Sequence, residues 1–354
     1  MILGMLAASK SAQGAQAMIV GGQAMAAQSQ LNFSRDMERE ADRIGYGVMS
    51  EAGFDTLGFV TMFGKLQQAA GLNDSGSFPY LRSHPLSSER MADMQSRQQL
   101  QTPRPANLES DLIQAMMSSR ARVLAQPGVD ALRAWANEAA DTHIDKQVLT
   151  KRMGVLYGAA LSWMQLRDMK QARALIPRMQ QAAGDHATAL RLIRLFESEL
   201  AFKEDDMRAA LRALSATASL ANRLWPRPEL IALAQASARL HATSSSVETA
   251  QLLANSIAAL QALVLQNPQD AQAWQVLATA LAAQGRPLAS LRAEGEVQIA
   301  RMDFGAAVDR FRAAQDASRR GPAQMGDHIE ASIVDARLRF AQSIFREQML
   351  ERDR

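Results

Sequence analysis

The chain has no cysteine among its 354 residues, which excludes disulfide bonds and thiolate metal sites. Aromatic residues make up only 5%, and the net charge is a modest +3 without any long basic run. Because nucleic-acid binding relies on clustered Lys and Arg and on stacking aromatic rings, we predict no nucleic-acid partner. The hydrophobic content of 47% and the charged content of 21% are typical of globular domains.

Several catalytic motifs are absent as well. The sequence contains no Gly-x-Ser-x-Gly elbow, no GxxxxGK and no GxGxxG, so several common enzyme classes lack support. None of the five histidines opens a His-Glu-x-x-His motif. Four of them are spread over helical segments without a partner that would complete a metal-binding face, and we interpret these as surface or core histidines: His143, His186, His241 and His328.

Strand-like alternation is also lacking, and the sequence therefore predicts an all-α fold. Pro103 and Pro105, in QTPRPAN, interrupt the helical pattern and predict a domain boundary, with one domain at 1–103 and a second at 104–354. The second is almost continuous Ala, Leu, Gln and Arg helix from about Leu108. Short polar segments are predicted to break it at 183–186, 204–206, 226–228, 243–246, 267–270 and 320–327.

The second domain repeats internally. Small residues recur at intervals of 38, 40 and 39 residues, at Ala172, Ala210, Ala250 and Ala289, slightly above the tetratricopeptide period. The clearest unit begins at Asn267 and places Trp274 at a consensus packing position. We therefore predict a tetratricopeptide-like α-solenoid whose groove binds peptide segments. The sequence leaves open whether the other tryptophans pack or bind: Trp135, Trp163 and Trp225.

The first domain contains a carboxylate helix in NFSRDMEREADRIG. Glu38 and Asp42 are four residues apart and share one face of this helix, beside an apolar stripe of Met37, Ala41, Ile44 and Val48. Gly53 is predicted to end the helix in a left-handed conformation. Asp55 is predicted to cap a second helix with apolar positions at Leu57, Val60, Phe63 and Leu66.

A second polar motif, SHPLSSER, follows the segment NDSGSFPY. His84 precedes a proline, and Arg90 lies just inside a helix that Ser87 is predicted to cap. The intervening loop at 73–80 is interpreted either as a substrate-covering loop or as a plain connector.

In order and distance, SRDMEREADRIG, EAGFD and SHPLSSER resemble the HtpX/BepA-type zinc metallopeptidases, most closely the periplasmic branch with C-terminal tetratricopeptide repeats. The resemblance implies that 1–103 is part of a gluzincin-like domain with zinc as cofactor. It implies Glu38 as a metal ligand, Asp42 as an acid that orients a zinc-bound imidazole, and His84 and Arg90 as catalytic residues that support the oxyanion.

The same resemblance places the missing His-Glu-x-x-His helix upstream of the sequence, so that Met1 is expected to be an internal methionine and the chain alone to be inactive. Residues 1–30 lack the basic start of a signal peptide and are too short and broken for a membrane span. We predict no transmembrane segment, and the periplasmic location rests on the resemblance.

The implied function is zinc-dependent endopeptidase activity in the bacterial envelope on misassembled or unfolded outer-membrane proteins. The repeat domain is expected to recruit protein or peptide substrates or the outer-membrane assembly machinery. An alternative from another class is a noncatalytic tetratricopeptide adaptor or chaperone that carries a peptidase remnant.

Overall fold

The computed structural model describes residues 36–72, 88–100, 107–215, 226–320 and 327–352. These residues form helices and short connections without a β-strand, as the all-α prediction requires. The chain divides into two compact units, Met1–Ala106 and Asn107–Arg354.

The described residues of the first unit form three helices: α1 over 36–51, α2 over Leu57–Leu72 and α3 over Ser88–Gln99. Gly53 follows α1 with φ of 86°, and the Phe54 N–H donates to the Met49 carbonyl at 3.1 Å, which confirms the predicted left-handed helix end. The Asp55 carboxylate accepts from the Leu57 N–H at 2.9 Å and caps α2, also as predicted. Ser87, the predicted cap of α3, lies outside the described residues.

The face by which α1 packs differs from the predicted apolar stripe. Met37, Ile44 and Val48 are 52–60% exposed, whereas Asp42 and Tyr46 are each only 5% exposed. The Tyr46 ring packs into a small core of buried side chains that it shares with Phe63 and Met94. The apolar stripe is thus exposed, and α1 directs its carboxylates, paired with a cation, toward α3.

The second unit is a succession of thirteen α-helices within the described residues. Two 3₁₀ turns, Glu138–Ala140 and Ile144–Lys146, lie between the second and third of these helices. The helices are α4 Leu108–Leu124, α5 Val129–Asn137, α6 Leu149–Gln165, α7 Met169–Ala174, α8 Ile176–Ala183, α9 Ala187–Lys203, α10 Met207–Ser215, α11 Arg227–Thr243, α12 Val247–Gln266, α13 Ala271–Ala283, α14 Pro287–Ala300, α15 Phe304–Arg320 and α16 Asp327–Arg352. From α9 onward each helix packs against the next in sequence, which is the nearest-neighbour arrangement of a helical-hairpin array.

One kind of turn joins several of these helix pairs. A residue with positive φ, such as Arg167 or Met302, ends the first helix. The N–H of the next residue then donates to the carbonyl five residues earlier, from Asp168 to Trp163 at 3.0 Å and from Asp303 to Gln298 at 2.9 Å. The aspartates then cap the next helix through their side chains. Gly285, with φ of 79°, is the glycine found in such a turn among the described residues of the second unit, and the Arg286 N–H donates to the Leu281 carbonyl at 2.9 Å.

The predicted packing positions agree with the structure except at one point. Ala172, Ala210 and Ala289 are at most 3% exposed, but Ala250 is exposed and the neighbouring Thr249 is buried instead. Thr249 belongs to the capping box that starts α12, and this turns its side chain inward. Trp274 is 7% exposed and its indole N–H donates to the Pro268 carbonyl at 2.9 Å, so its predicted packing role is confirmed.

Arginine–carboxylate pairs connect helices that are about one repeat apart in sequence. The fully buried Glu229 accepts from Arg191 at 2.5 and 2.9 Å. Further along, Arg337 donates to Glu296 at 2.7 and 2.6 Å. Arg292 donates to Glu330 at 2.6 Å. In each pair the partners are 38 or 41 residues apart, so the pairs join successive repeats.

Among the described helices, α12 is long and apolar enough to cross a membrane by length and composition, with a mean hydropathy of 1.2. It packs against both α11 and α13, and one side of it is buried in their shared core through Leu253, Ile257, Leu260 and Val264. Its hydropathy therefore has a structural reason within the array.

Candidate functional site

The carboxylate helix and the helix with Arg90 meet at a buried ionic cluster. Because Glu38 and Asp42 lie one helical turn apart on α1, their carboxylates point in nearly the same direction. Arg90 lies in the first turn of α3 and reaches both of them. We call Glu38, Asp42 and Arg90 the acid–arginine cluster.

The geometry of the acid–arginine cluster is tight. Arg90 Nε donates to Asp42 Oδ2 at 2.6 Å and Arg90 Nη2 donates to Asp42 Oδ1 at 2.7 Å, a bidentate contact. Arg90 Nη1 lies 3.1 Å from Glu38 Oε2. The exposed fractions of the three side chains are only 6%, 7% and 13% for Arg90, Asp42 and Glu38. The guanidinium offsets the repulsion between two adjacent carboxylates that are largely removed from water.

The surroundings fix the guanidinium in place. Its carbon atom lies 5.3 Å from the centre of the Phe63 ring, within the range of a cation–π contact. One turn further along α1, the Tyr46 hydroxyl donates to Thr56 Oγ1 at 3.0 Å. At the surface, Arg39 donates to Glu89 at 2.6 Å and gives a second, exposed pairing between α1 and α3.

A catalytic zinc requires three protein ligands, usually drawn from His, Glu, Asp and Cys. Within the described residues no group of three such side chains is close enough to hold a metal ion. Glu38 has the right chemistry for one ligand, but its Oε2 already faces the positive charge of Arg90, which opposes a second cation at that atom. The described residues therefore do not by themselves fit a catalytic zinc.

The structure brings together three of the four residues that the sequence singles out. Glu38, Asp42 and Arg90 form one cluster, while His84 lies outside the described residues. The sequence did not predict the pairing of Arg90 with both acids, because a contact over 48 residues leaves no periodic signal. The metal and catalytic roles of these residues remain predictions.

The first unit is similar to a known peptidase family. The sequence model of peptidase family M48 matches residues 1–98, the part of the chain that contains the acid–arginine cluster and His84. This part of the chain is therefore similar to peptidase family M48.

Curated relatives extend the likeness beyond the first unit. The chain is 30% identical over 162 residues to the "Putative beta-barrel assembly-enhancing protease" of Vibrio cholerae, covering 45% of this chain and 32% of that protein. It is 30% identical over 178 residues to the "Beta-barrel assembly-enhancing protease" of Yersinia pestis, covering 49% and 35%. The protein of the same name from Escherichia coli K12 is 29% identical over 194 residues, covering 53% and 37%. The chain thus spans about a third of the length of the relatives that it matches.

Proposed function

We propose that this chain is part of a zinc-dependent metalloendopeptidase of the bacterial envelope that acts on misassembled or unfolded outer-membrane proteins. The observation that carries the proposal is the acid–arginine cluster, in which two carboxylates of one helix are held side by side within the segment that matches peptidase family M48. The names of the relatives, which refer to enhancement of β-barrel assembly, support the substrate class.

Each cluster residue has a role in this proposal. Glu38 would supply one ligand to a bound zinc, and Asp42 would accept a hydrogen bond that orients a ligating imidazole. Arg90 positions both carboxylates, since at least three of its five N–H donors face Glu38 and Asp42. Support of the oxyanion is assigned to His84 together with Arg90, which must share its guanidinium between the two tasks.

The second unit is proposed to recruit the substrate or the assembly machinery. A helical-hairpin array presents an extended surface that can contact a long stretch of another protein. The periplasm is the proposed location, because the proposed substrates pass through that compartment.

A second candidate function is a noncatalytic tetratricopeptide adaptor or chaperone. The observation that favours it is also the cluster, because Arg90 already pairs with both acids and the result is a self-sufficient buried ion network. Under this alternative Glu38 and Asp42 only hold α1 in its orientation against α3. The helical array alone then binds the partner protein.

The two functions predict different nucleotide sequences upstream of the codon for Met1. For the peptidase, the nucleotide sequence upstream, read in the same frame, should encode His-Glu-x-x-His within a few tens of codons, preceded by a signal peptide. By this proposal Glu38, even with His84 added, offers at most two of the three protein ligands that a catalytic zinc requires, so we expect no chelator-sensitive cleavage of casein by these 354 residues alone. Stoichiometric tight zinc with such cleavage would contradict this ligand assignment.

A protein extended by those upstream residues permits the direct test. Glu38→Gln should weaken zinc binding and abolish cleavage of an unfolded outer-membrane protein, because a neutral amide is a poor zinc ligand. Glu40→Gln is the matched control, since Glu40 lies on the same helix but is exposed and pairs with Arg43. Equal zinc affinity and turnover in the Glu38→Gln and Glu40→Gln proteins would refute the metal role of Glu38.

A further inference from the structure

A surface pocket of about 460 Å³ lies within the second unit, between helices α7, α8, α9 and α10. Its volume is within the range of small-ligand sites, about 300–1,000 Å³. Leu190 and Ala213 form part of its apolar wall, and three arginines from three different helices line the rest: Arg173, Arg194 and Arg212.

Two of these arginines have no acidic partner among the described residues. Arg173 is paired with Glu204, but no carboxylate of the described chain lies within ion-pair distance of Arg194 or Arg212. The Nε atom of Arg194 is buried and has no hydrogen-bond partner there. An unsatisfied buried donor leaves the positive charge of this guanidinium incompletely compensated, and a carboxylate in the pocket would add to that compensation.

We propose that this pocket binds a peptide carboxylate, with the carboxylate between Arg194 and Arg212 and an adjacent apolar side chain against Leu190 and Ala213. A guanidinium fork matches the two oxygens of a carboxylate, and two forks from neighbouring helices strengthen the contact. The proposal goes beyond peptidase chemistry, because it concerns only the second unit and needs no metal.

The pocket favours a peptide over a bare inorganic anion for two reasons. Glu197, one turn after Arg194 on α9, also lines the pocket and adds a negative charge that repels polyanions. Its carboxylate is suited to accept hydrogen bonds from peptide N–H groups, which inorganic phosphate lacks. The apolar wall also gains free energy only from a ligand that carries a side chain.

The experiment is isothermal titration calorimetry of the 354-residue chain with acetyl-Gly-Ser-Gly-Ser-Ala-Leu that has a free C-terminal carboxylate. The same peptide as C-terminal amide should bind roughly tenfold more weakly or not at all, because the charge-assisted hydrogen bonds are lost. An amidated peptide with an internal Asp-Leu distinguishes a side-chain carboxylate from a chain terminus, and either source of binding supports the proposal.

Arg212→Gln should weaken binding of the free-acid peptide roughly tenfold, and it is suited to the test because Arg212 is exposed and its loss does not disturb the core. Arg208→Gln is the matched control, since Arg208 is an exposed arginine of the same helix outside the pocket lining. We expect little change in this control, and circular dichroism should show equal helix content in both variants.

Three results would overturn the proposal: no binding of either carboxylate peptide at millimolar concentration, equal weakening by Arg208→Gln, or tighter binding of inorganic phosphate than of the peptide. None of these readouts depends on proteolysis, so a failure of the proposed peptidase function and a failure of this site are distinguishable.

Discussion

Replacing Arg90 with methionine should destabilise the first unit by about 3–5 kcal/mol, the cost of removing one partner from a buried ion pair. Methionine keeps an unbranched apolar stem against Phe63 but removes the charge. Arg90 is 6% exposed and makes contacts of 2.6, 2.7 and 3.1 Å to Asp42 and Glu38. Both carboxylates would lose their cation while remaining shielded from water.

The matched comparison is Arg39→Met. Arg39 also connects α1 to α3, through Glu89 at 2.6 Å, but its side chain is 47% exposed and that of Glu89 69%. An exposed pair contributes about 0–1 kcal/mol, so this substitution should have a small effect. The two variants remove the same residue type from the same helix pairing and differ mainly in burial.

Hydrogen exchange detected by mass spectrometry measures the effect locally, on peptides from 36–51 and 88–99. A loss of 3–5 kcal/mol corresponds to an increase in exchange rate of roughly a hundred- to several-thousand-fold in the Arg90→Met protein, provided exchange occurs by unfolding of this unit. Peptides from the second unit should not change. Similar exchange rates in the Arg90→Met and Arg39→Met proteins would refute the view that this cluster holds the first unit together.

Three other predictions concern the second unit. Gly295→Ala should destabilise it by about 1–3 kcal/mol in thermal melts, because an added Cβ would lie 2.5 Å from the Phe311 ring, and Phe311→Leu should restore part of the loss. Asp270→Asn keeps a helix cap but loses the Arg227 ion pair that lowers the pKa of Asp270. A carboxyl group whose pKa is lowered by folding stabilises the folded state at pH values above its unfolded pKa. The free energy of unfolding of the wild type should therefore be up to about 1 kcal/mol higher than that of this variant at pH 5–7. Urea titrations should show that this difference disappears as the pH falls through the lowered pKa. The fragment 108–354 should fold alone with a cooperative melt in circular dichroism, whereas a stable 1–103 fragment beside an unfolded 108–354 would contradict this autonomy.

Local signals in the sequence were sufficient for much of the helix layout. The breaks predicted at 183–186, 204–206, 243–246 and 267–270 separate consecutive helices of the structure, because Gly, Asp, Ser and Pro act on their own turns. The turns at Arg167 and Met302 were not predicted, since both residues adopt positive φ without being glycine.

The candidate site was only partly predictable for a related reason. Helical spacing placed Glu38 and Asp42 on one face, but it could not show that a cation from another helix would bury that face. The hydrophobic pattern favoured Met37 and Val48, although the side chains that pack are Asp42 and Tyr46. A buried charge is stabilised by its partner, and partners distant in sequence are visible only in the folded chain.

The arginine–carboxylate pairs between successive repeats also constrain how the array can change in length. Deleting the segment that contains Glu229, for example, would leave Arg191 without its partner. Deleting the segment that contains Arg191 would leave the fully buried Glu229 without a cation. A shortened or lengthened array is therefore expected to fold well only when each newly adjoining repeat supplies the opposite charge at the same position. Engineered repeat swaps in this protein should thus be designed as charge-matched neighbours rather than as interchangeable helical hairpins.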